Sequence, residues 1–250
     1  MTGAEPAVAN PTDGQRVRVV AWNCAGALQL KLDHVLEMAP DIAVIAEAAR
    51  PERLALPEGT TSAWVGRVPY KGLLVLGFGG AMVEAIGEPT PLEWLMPVRV
   101  TGSLELDVLA VWSSNKRAKN WVRGSLVQPH AAVELFGFQQ WRPHLVIGDF
   151  NNHPRWDQPG APKFMAMVEA YRQHGLHSLY HHVHGEPHGD ESQSTHWWRY
   201  SEQSTYHIDY AFVREDLLDG ASIQLGSFAE SVTKRTSDHA RLTVDLQLSR

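Results

Sequence analysis

Four short apolar runs in this chain each close on an acid or an amide, and no other feature constrains the fold as much. They end in Trp22–Asn23, Ile45–Ala46–Glu47, Ile147–Gly148–Asp149–Phe150–Asn151 and His207–Ile208–Asp209–Tyr210. A fifth segment, Ser237–Asp238–His239, immediately precedes the last apolar run. Runs this short and this rich in β-branched residues read as buried strands. A carboxylate carried into such an environment is costly unless it is paired or holds a metal. One acid at a strand end has an ordinary explanation as a cap or turn residue. Five such segments in one chain point instead to a shared polar site at the ends of a sheet.

The rest of the chain supplies the layers around those strands. Arg16–Trp22 alternates as a strand, Ile42–Ile45 is a short run buried on both faces, and Leu28–Met38 carries Leu28, Leu32, Val35 and Leu36 at helical spacing before Pro40. Several strand-like segments follow between Thr61 and Leu109, two of which can pair through Thr101–Gly102–Ser103. Helices are expected over Ala131–Trp141 and Lys163–His174, and strands over His144–Ile147, Tyr206–Val213 and Leu242–Leu248. Strand-rich runs with three helices predict an α+β or mixed α/β arrangement around one core. The 250 residues, 44% apolar and 20% charged, suffice to bury roughly 70–75% of the unfolded surface without cross-links. Residues 1–15 read as a disordered leader and 16–250 as one domain. The single cysteine, Cys24, excludes a disulfide framework and a cysteine-based zinc finger. No apolar run approaches the about 20 residues of a membrane-spanning helix, and the N-terminus lacks a secretory pattern, so a cytoplasmic location is expected. The formal charge of −6 argues against a tight binder of nucleic acid but permits an enzyme with a small basic site.

Taken in order, WNCAG, DIAVIAE, GDFNN, HIDYAF and SDH resemble the motif set of the endonuclease/exonuclease/phosphatase superfamily, the DNase I-like phosphoesterases. The resemblance runs from Trp22 to His239. It implies a four-layer α/β sandwich, two facing mixed β-sheets with helices outside, and a site at one end where loops of both sheets meet. It implies Glu47 and Asp238 as ligands of Mg²⁺ (or Mn²⁺), with Asn23 close to that metal and the phosphate. Asp149 matches the residue that activates the attacking water, and Asn151 the amide that holds the phosphate. His239 matches the phosphate-contacting histidine, and Asp209 the carboxylate that orients it. A carboxylate that fixes the ring also favours the imidazolium. The implied chemistry is in-line attack of water on phosphorus, with the metal and His239 offsetting charge on the non-bridging oxygens.

Three departures stand out. Ala46 occupies a position where the family often has Gln, and Ala25 one where some nucleases carry another acid. By simple register Trp112 falls where relatives often deliver a His or Tyr. Trp112 donates a hydrogen bond but cannot titrate, so leaving-group protonation is expected from His239, metal-bound water or another residue such as His207.

Two further signals have both a plain and a sharper meaning. The histidines from His174 to His196 form either a polar surface loop or a zinc site; HHVH matches no common zinc spacing, which favours the loop. Within that segment His196 and Trp197–Trp198 are the best placed to line the site, or one Trp is core and the other an exposed edge. Lys116, Arg117, Lys119 and Arg123, with Trp121 among them, form the only dense basic run. Such a run is either a solvated face or a positive rim that binds substrate, with Trp121 stacking a base. Cys24 reads as a packed small residue, since no base adjoins it.

The expected function is a divalent-metal-dependent phosphodiester hydrolase with a nucleic acid or nucleotide substrate. In that reading Lys116, Arg117, Lys119, Trp112 and His207 contact substrate. The alternatives are a phosphoesterase of lipid head groups or other small phosphoesters, a non-catalytic binding module of the same fold, and a zinc protein built on the His-rich segment.

Overall fold

The computed structural model describes residues 14–87, 94–113, 127–157, 159 and 163–249. The expected leader, apart from its last two residues, and the whole basic run, including Lys116, Arg117, Lys119, Trp121 and Arg123, lie outside the described residues. Inward-facing apolar rows build two six-stranded sheets. The first contains β1 (Gln15–Asn23), β2 (Ile42–Ala48), β3 (Thr61–Val68), β4 (Lys71–Gly77), β13 (Ser222–Leu225) and β14 (Leu242–Leu248), in the order β13-β14-β1-β2-β4-β3. The second contains β5 (Ala81–Ala85), β6 (Leu95–Gly102), β7 (Leu106–Trp112), β8 (Leu145–Asp149), β9 (Leu176–Ser178) and β12 (Asp209–Arg214), in the order β5-β6-β7-β8-β12-β9. Both are mixed, because β1–β2 and β7–β8 are parallel pairs in otherwise antiparallel ladders. A separate two-stranded ribbon joins β10 (His196–Trp197) to β11 (Thr205–Tyr206).

Alternation decides which side chains meet between the sheets. Val17, Val19 and Ala21 of β1, Val108 and Ala110 of β7, Leu145 and Ile147 of β8, and Ala211 and Val213 of β12 belong to one buried cluster. The opposite face of the first sheet packs Trp22, Ile45 and Leu74 against Leu28, Leu32 and Val35. The opposite face of the second packs Val146, Phe150, Tyr210 and Phe212 against helix residues Phe164, Met167 and Tyr171. Two sheets face each other with helical layers outside, as the resemblance implies.

The helices and strand limits differ in detail. Leu28–Met38 is not one helix but a 3-10 turn, Leu28–Leu30, and a short α1 (Asp33–Leu36). Its apolar stripe needs only these turns to cover Trp22, and Ala39, at φ 48, ends the segment before Pro40. The helix expected at Ala131–Trp141 is α2 (Val127–Leu135). Proline is tolerated in a first turn, so Pro129 does not delay its start, and Gly137 at φ 59 breaks it early. Helix α3 (Phe164–Gln173) matches expectation, and a short α4 (Leu179–His184) adds to it. The run Tyr206–Val213 divides at His207–Ile208, because the backbone N–H groups of Ile208 and Asp209 leave the ladder and donate to Thr195 Oγ1 at 2.9 and 3.0 Å. No helix among the described residues is long and apolar enough to cross a membrane.

Candidate active site

The polar residues of the site are the last members of the inward-facing rows. Asn23 follows Val17, Val19 and Ala21; Asp149 follows Leu145 and Ile147; Asp209 precedes Ala211 and Val213; Lys71 precedes Leu73 and Val75. Asp149 stands opposite Asp209 on β12 and Trp112 on β7, while Asn23 stands opposite Ala46 on β2. All of these strand ends open on the same edge of the sandwich. There Asn23 Nδ2 donates to Asp149 Oδ2 at 2.9 Å, a hydrogen bond that spans the two sheets.

Backbone geometry marks the same edge. Among non-glycine residues, Ala25, Glu47 and Asn151 have φ of 49, 59 and 49°, a left-handed conformation that persists only where surrounding structure enforces it. At Glu47 the cause is a bulge: the β2–β4 register skips between Ala46 and Ala48. The bulge frees the Glu47 side chain from the alternation that would bury it, and Lys71 Nζ lies 2.7 Å from its Oε2. At Asn151 the backbone N–H donates to Asp149 Oδ1 at 2.7 Å. Asp149 is thus fully enclosed and accepts on both oxygens. Burial, aided by the Asp209 carboxylate, raises its pKa.

His239 is buried against Asp209, with Nδ1 at 2.9 Å from Oδ2. Burial alone would lower its pKa, but the carboxylates of Asp209 and Asp149 outweigh this and raise it to about 10, so the ring is an imidazolium at neutral pH. Its segment is pinned from three sides. Trp22 Nε1 donates to the His239 carbonyl at 3.2 Å, Ser237 Oγ donates to the Asn23 carbonyl at 2.6 Å, and Trp197 N–H donates to the Asp238 carbonyl at 2.8 Å. Donor atoms of Asp149, Asp209 and His239 all lie within 4.8 Å of one another.

The donor set suits a hard divalent ion. Carboxylates outnumber cations in the inner group, where Asp149, Asp209 and Asp238 surround His239 alone, and oxygen ligands are what Mg²⁺ prefers. Two clusters of potential ligands occur among the described residues, Asp149–Asp209–His239 and His196–Asp238–His239. Glu47 belongs to neither. It stands apart with Lys71, while Lys31, its pKa lowered by burial, lies within the electrostatic reach of both Glu47 and Asp238.

Lys31 and Lys71 are missing from the sequence-based site. For Lys71 the signal was available, since a charged residue at an inward position of the strand KGLLVLG is as anomalous as the acids. Its ammonium also lies 5.5 Å from the Trp112 ring centroid. Trp112 pairs with Asp149 across β7–β8, with its ring buried against Trp94 at 4.9 Å. His207 is buried and belongs to neither cluster of potential ligands. Its ring packs on Tyr180 at 4.5 Å, Nδ1 is 2.9 Å from the Gln193 carbonyl, and burial lowers its pKa to about 4. The residue is therefore neutral and no proton donor at neutral pH.

The His-rich segment is neither a plain surface loop nor a ready zinc site. His182 and His184 are exposed, but His181 is stacked on His188, with centroids 3.5 Å apart, and its Nε2 donates to Glu191 at 3.1 Å. The other Glu191 oxygen lies 3.4 Å from His153 Nε2, just beyond GDFNN. This buried carboxylate ties the His-rich segment to the loop that carries Asn151. Hydrogen bonds from His153 and His181 overcome the effect of burial and hold Glu191 far below the usual carboxylate range. Trp197 is core and Trp198 is exposed. Cys24 is buried, and burial pushes its thiol up to about 12, which leaves it no nucleophilic role.

Neither a protein-family model nor a curated protein matches the sequence. Solved structures do. The 3′-5′ exonuclease NExo from Neisseria meningitidis superposes with a TM-score of 0.69 at 19% identity, covering 91% of this chain and 98% of that one. The Neisseria 3′ phosphatase NExo bound to a product DNA hairpin gives 0.68 at 18%, with the same 91% and 98% coverage. An AP endonuclease from Archaeoglobus fulgidus gives 0.65 at 15%, again covering 91% and 98%. At these identities the likeness is one of architecture. Two facing mixed sheets with the polar residues gathered at one edge give this chain the DNase I-like fold, the fold of the endonuclease/exonuclease/phosphatase superfamily.

Proposed function

We propose that this chain is a divalent-metal-dependent phosphodiester hydrolase that acts on a nucleic acid or nucleotide by in-line attack of water on phosphorus. The observation that carries this reading is the meeting of Asn23 and Asp149 from opposite sheets beside the Asp209–His239 pair. Asp149 is the proton acceptor. Its raised pKa makes it a better base than an ordinary carboxylate, and Asn23 and the Asn151 backbone fix the direction of its oxygens. His239, held charged by Asp209, is the source of the leaving-group proton through its remaining N–H, in place of His207, and its charge offsets that gathering on the phosphate. Glu47 and Asp238 would hold the divalent ion, which when bound would offset the negative charge that gathers on phosphate. The solved neighbour bound to a DNA hairpin supports nucleic acid as the substrate class.

A panel of phosphodiesters assayed with Mg²⁺, Mn²⁺ or a chelator tests the proposal. Hydrolysis that needs either ion is expected; no hydrolysis of any diester or oligonucleotide with either ion overturns it. Glu47→Gln should weaken metal affinity, with activity partly recovered at high metal concentration. An unchanged metal titration removes Glu47 from the ligand set.

The basic run tests substrate class separately. Neutralising Lys116, Arg117 and Lys119 together should impair oligonucleotide cleavage far more than cleavage of bis-p-nitrophenyl phosphate. Each lost contact should flatten the log–log salt dependence by about one unit. Equal loss of both activities assigns the run to the catalytic centre or to structure. Loss of neither makes it a solvated face and favours a small phosphoester.

A further inference from the structure

His196 is the one histidine of the late segment that reaches the candidate active site. It sits in the β10–β11 ribbon, bridges to His239 in an antiparallel pair, and its ring centroid lies 4.5 Å from that of His239. The residue is 7% exposed, yet Nδ1 is buried with no hydrogen-bond partner. Nε2 lies 3.6 Å from Asp238 Oδ2, too long for a hydrogen bond. A buried ring nitrogen without a partner is costly, and the ribbon holds the ring there, with its other nitrogen toward Asp238: Thr195 N–H donates to Tyr206 O, and Ala240 N–H donates to Thr195 O at 2.7 Å.

We propose that His196 and Asp238 form a mixed nitrogen–oxygen site for a first-row transition ion, with Mn²⁺ preferred over Mg²⁺. The separation fits. Two ligands about 2.1 Å from one ion stand about 3.0 Å apart when adjacent in an octahedron, so 3.6 Å closes with a small movement. The chemistry fits as well, because imidazole suits transition ions whereas Mg²⁺ demands oxygen and keeps its waters. His239 is left out of the ligand set because its Nδ1 is held by Asp209. Its role toward phosphate is unchanged. The inference rests on the metal-dependent reading above and adds to it which ion the site selects, through a residue outside the motifs that suggested Glu47 and Asp238.

Electron spin echo spectroscopy of the Mn²⁺-loaded protein reads a directly bound imidazole as nitrogen modulation. That modulation is expected in the wild type, retained in His239→Gln and lost in His196→Gln. Calorimetric titration of His196→Gln should show Mn²⁺ binding weakened about 10-fold or more and Mg²⁺ binding changed by less than about 3-fold. A thermal melt checks that the variant is folded; if it is not, His196→Asn replaces it, and the wild-type and His239→Gln spectra still decide. Absent nitrogen modulation in the wild type, or equal losses for the two ions, overturns the proposal. Hydrolysis supported by Mg²⁺ without nitrogen modulation would leave the phosphodiesterase reading standing. Nitrogen modulation in a protein that hydrolyses no phosphodiester would retain the site and remove that reading.

Discussion

Asp149→Asn is expected to lower turnover by about 10²-fold or more while substrate and metal still bind, because a general base acts on the chemical step. The substitution keeps the size of the side chain and removes its ability to accept a proton. It also disturbs the site locally. Asp149 accepts from Asn23 Nδ2 and from the Asn151 backbone N–H, and an Asn must turn its amino group toward one of these donors. Asn23 cannot simply rotate to compensate, since its Oδ1 accepts from Ala25 N–H at 3.0 Å. A stability loss of about 1–2 kcal/mol should therefore accompany the kinetic effect, small enough to leave the protein folded under assay conditions. Single-turnover kinetics with saturating metal separates the two. Near-normal turnover in a folded variant would remove Asp149 from the mechanism.

Gly148→Ala, one residue earlier, should act through the backbone and give the largest stability loss of any substitution considered. Gly148 has φ of +141°, and a Cβ there would run into the main chain of Val111 on β7, striking its carbonyl oxygen and approaching its carbonyl carbon at 2.9 Å. Val111 pairs with Gly148 in the parallel β7–β8 ladder, and Tyr210 pairs with it on the other side. Neither strand can retreat without breaking pairs in the centre of the sheet. Backbone strain and overpacking each cost about 1–3 kcal/mol, so about 3–5 kcal/mol is expected from urea unfolding, a large part of a typical domain's stability. Gly59→Ala provides the contrast. Its φ is +78° but a Cβ there meets nothing within 4 Å, so only the conformational cost of about 1 kcal/mol applies. A Gly148→Ala protein no less stable than Gly59→Ala would contradict the clash.

The succession of Gly148 and Asp149 at the end of β8 shows how far the strands themselves could be read. Alternation in RVRVVAWN and LVIGD, with β-branched residues at the inward positions, specifies two buried strands whose last inward residues are polar. That is a local property, set by the period of the strand and by the cost of burying an acid, and it holds wherever the strands pack. The ordered motifs then brought the sandwich with them, and with it the expectation of where the polar residues gather. The helices were harder, because a stripe such as Leu28, Leu32 and Val35 satisfies helical spacing whether the backbone forms one helix or two short turns. Only the area of sheet left to cover distinguishes these.

Lys71, His196 and His207 separate what was legible from what was not. Lys71 announced itself as a charge in an inward row, yet its partner, Glu47, depends on a bulge that no local pattern encodes. His196 and His207 lie in one histidine-rich stretch, and the sequence offers both to the site. The tertiary structure separates them. Thr195 takes the backbone N–H groups of Ile208 and Asp209, which turns the chain so that His207 packs on Tyr180 while His196 lies against Asp238 and His239. The sequence by itself determined the strands, their buried faces and the polar residues that end them, because strand period and desolvation act within a few residues. Which histidine enters the site, and which cation stands against which carboxylate, was decided only by contacts between segments far apart in the chain, where packing and hydrogen-bond geometry set the outcome.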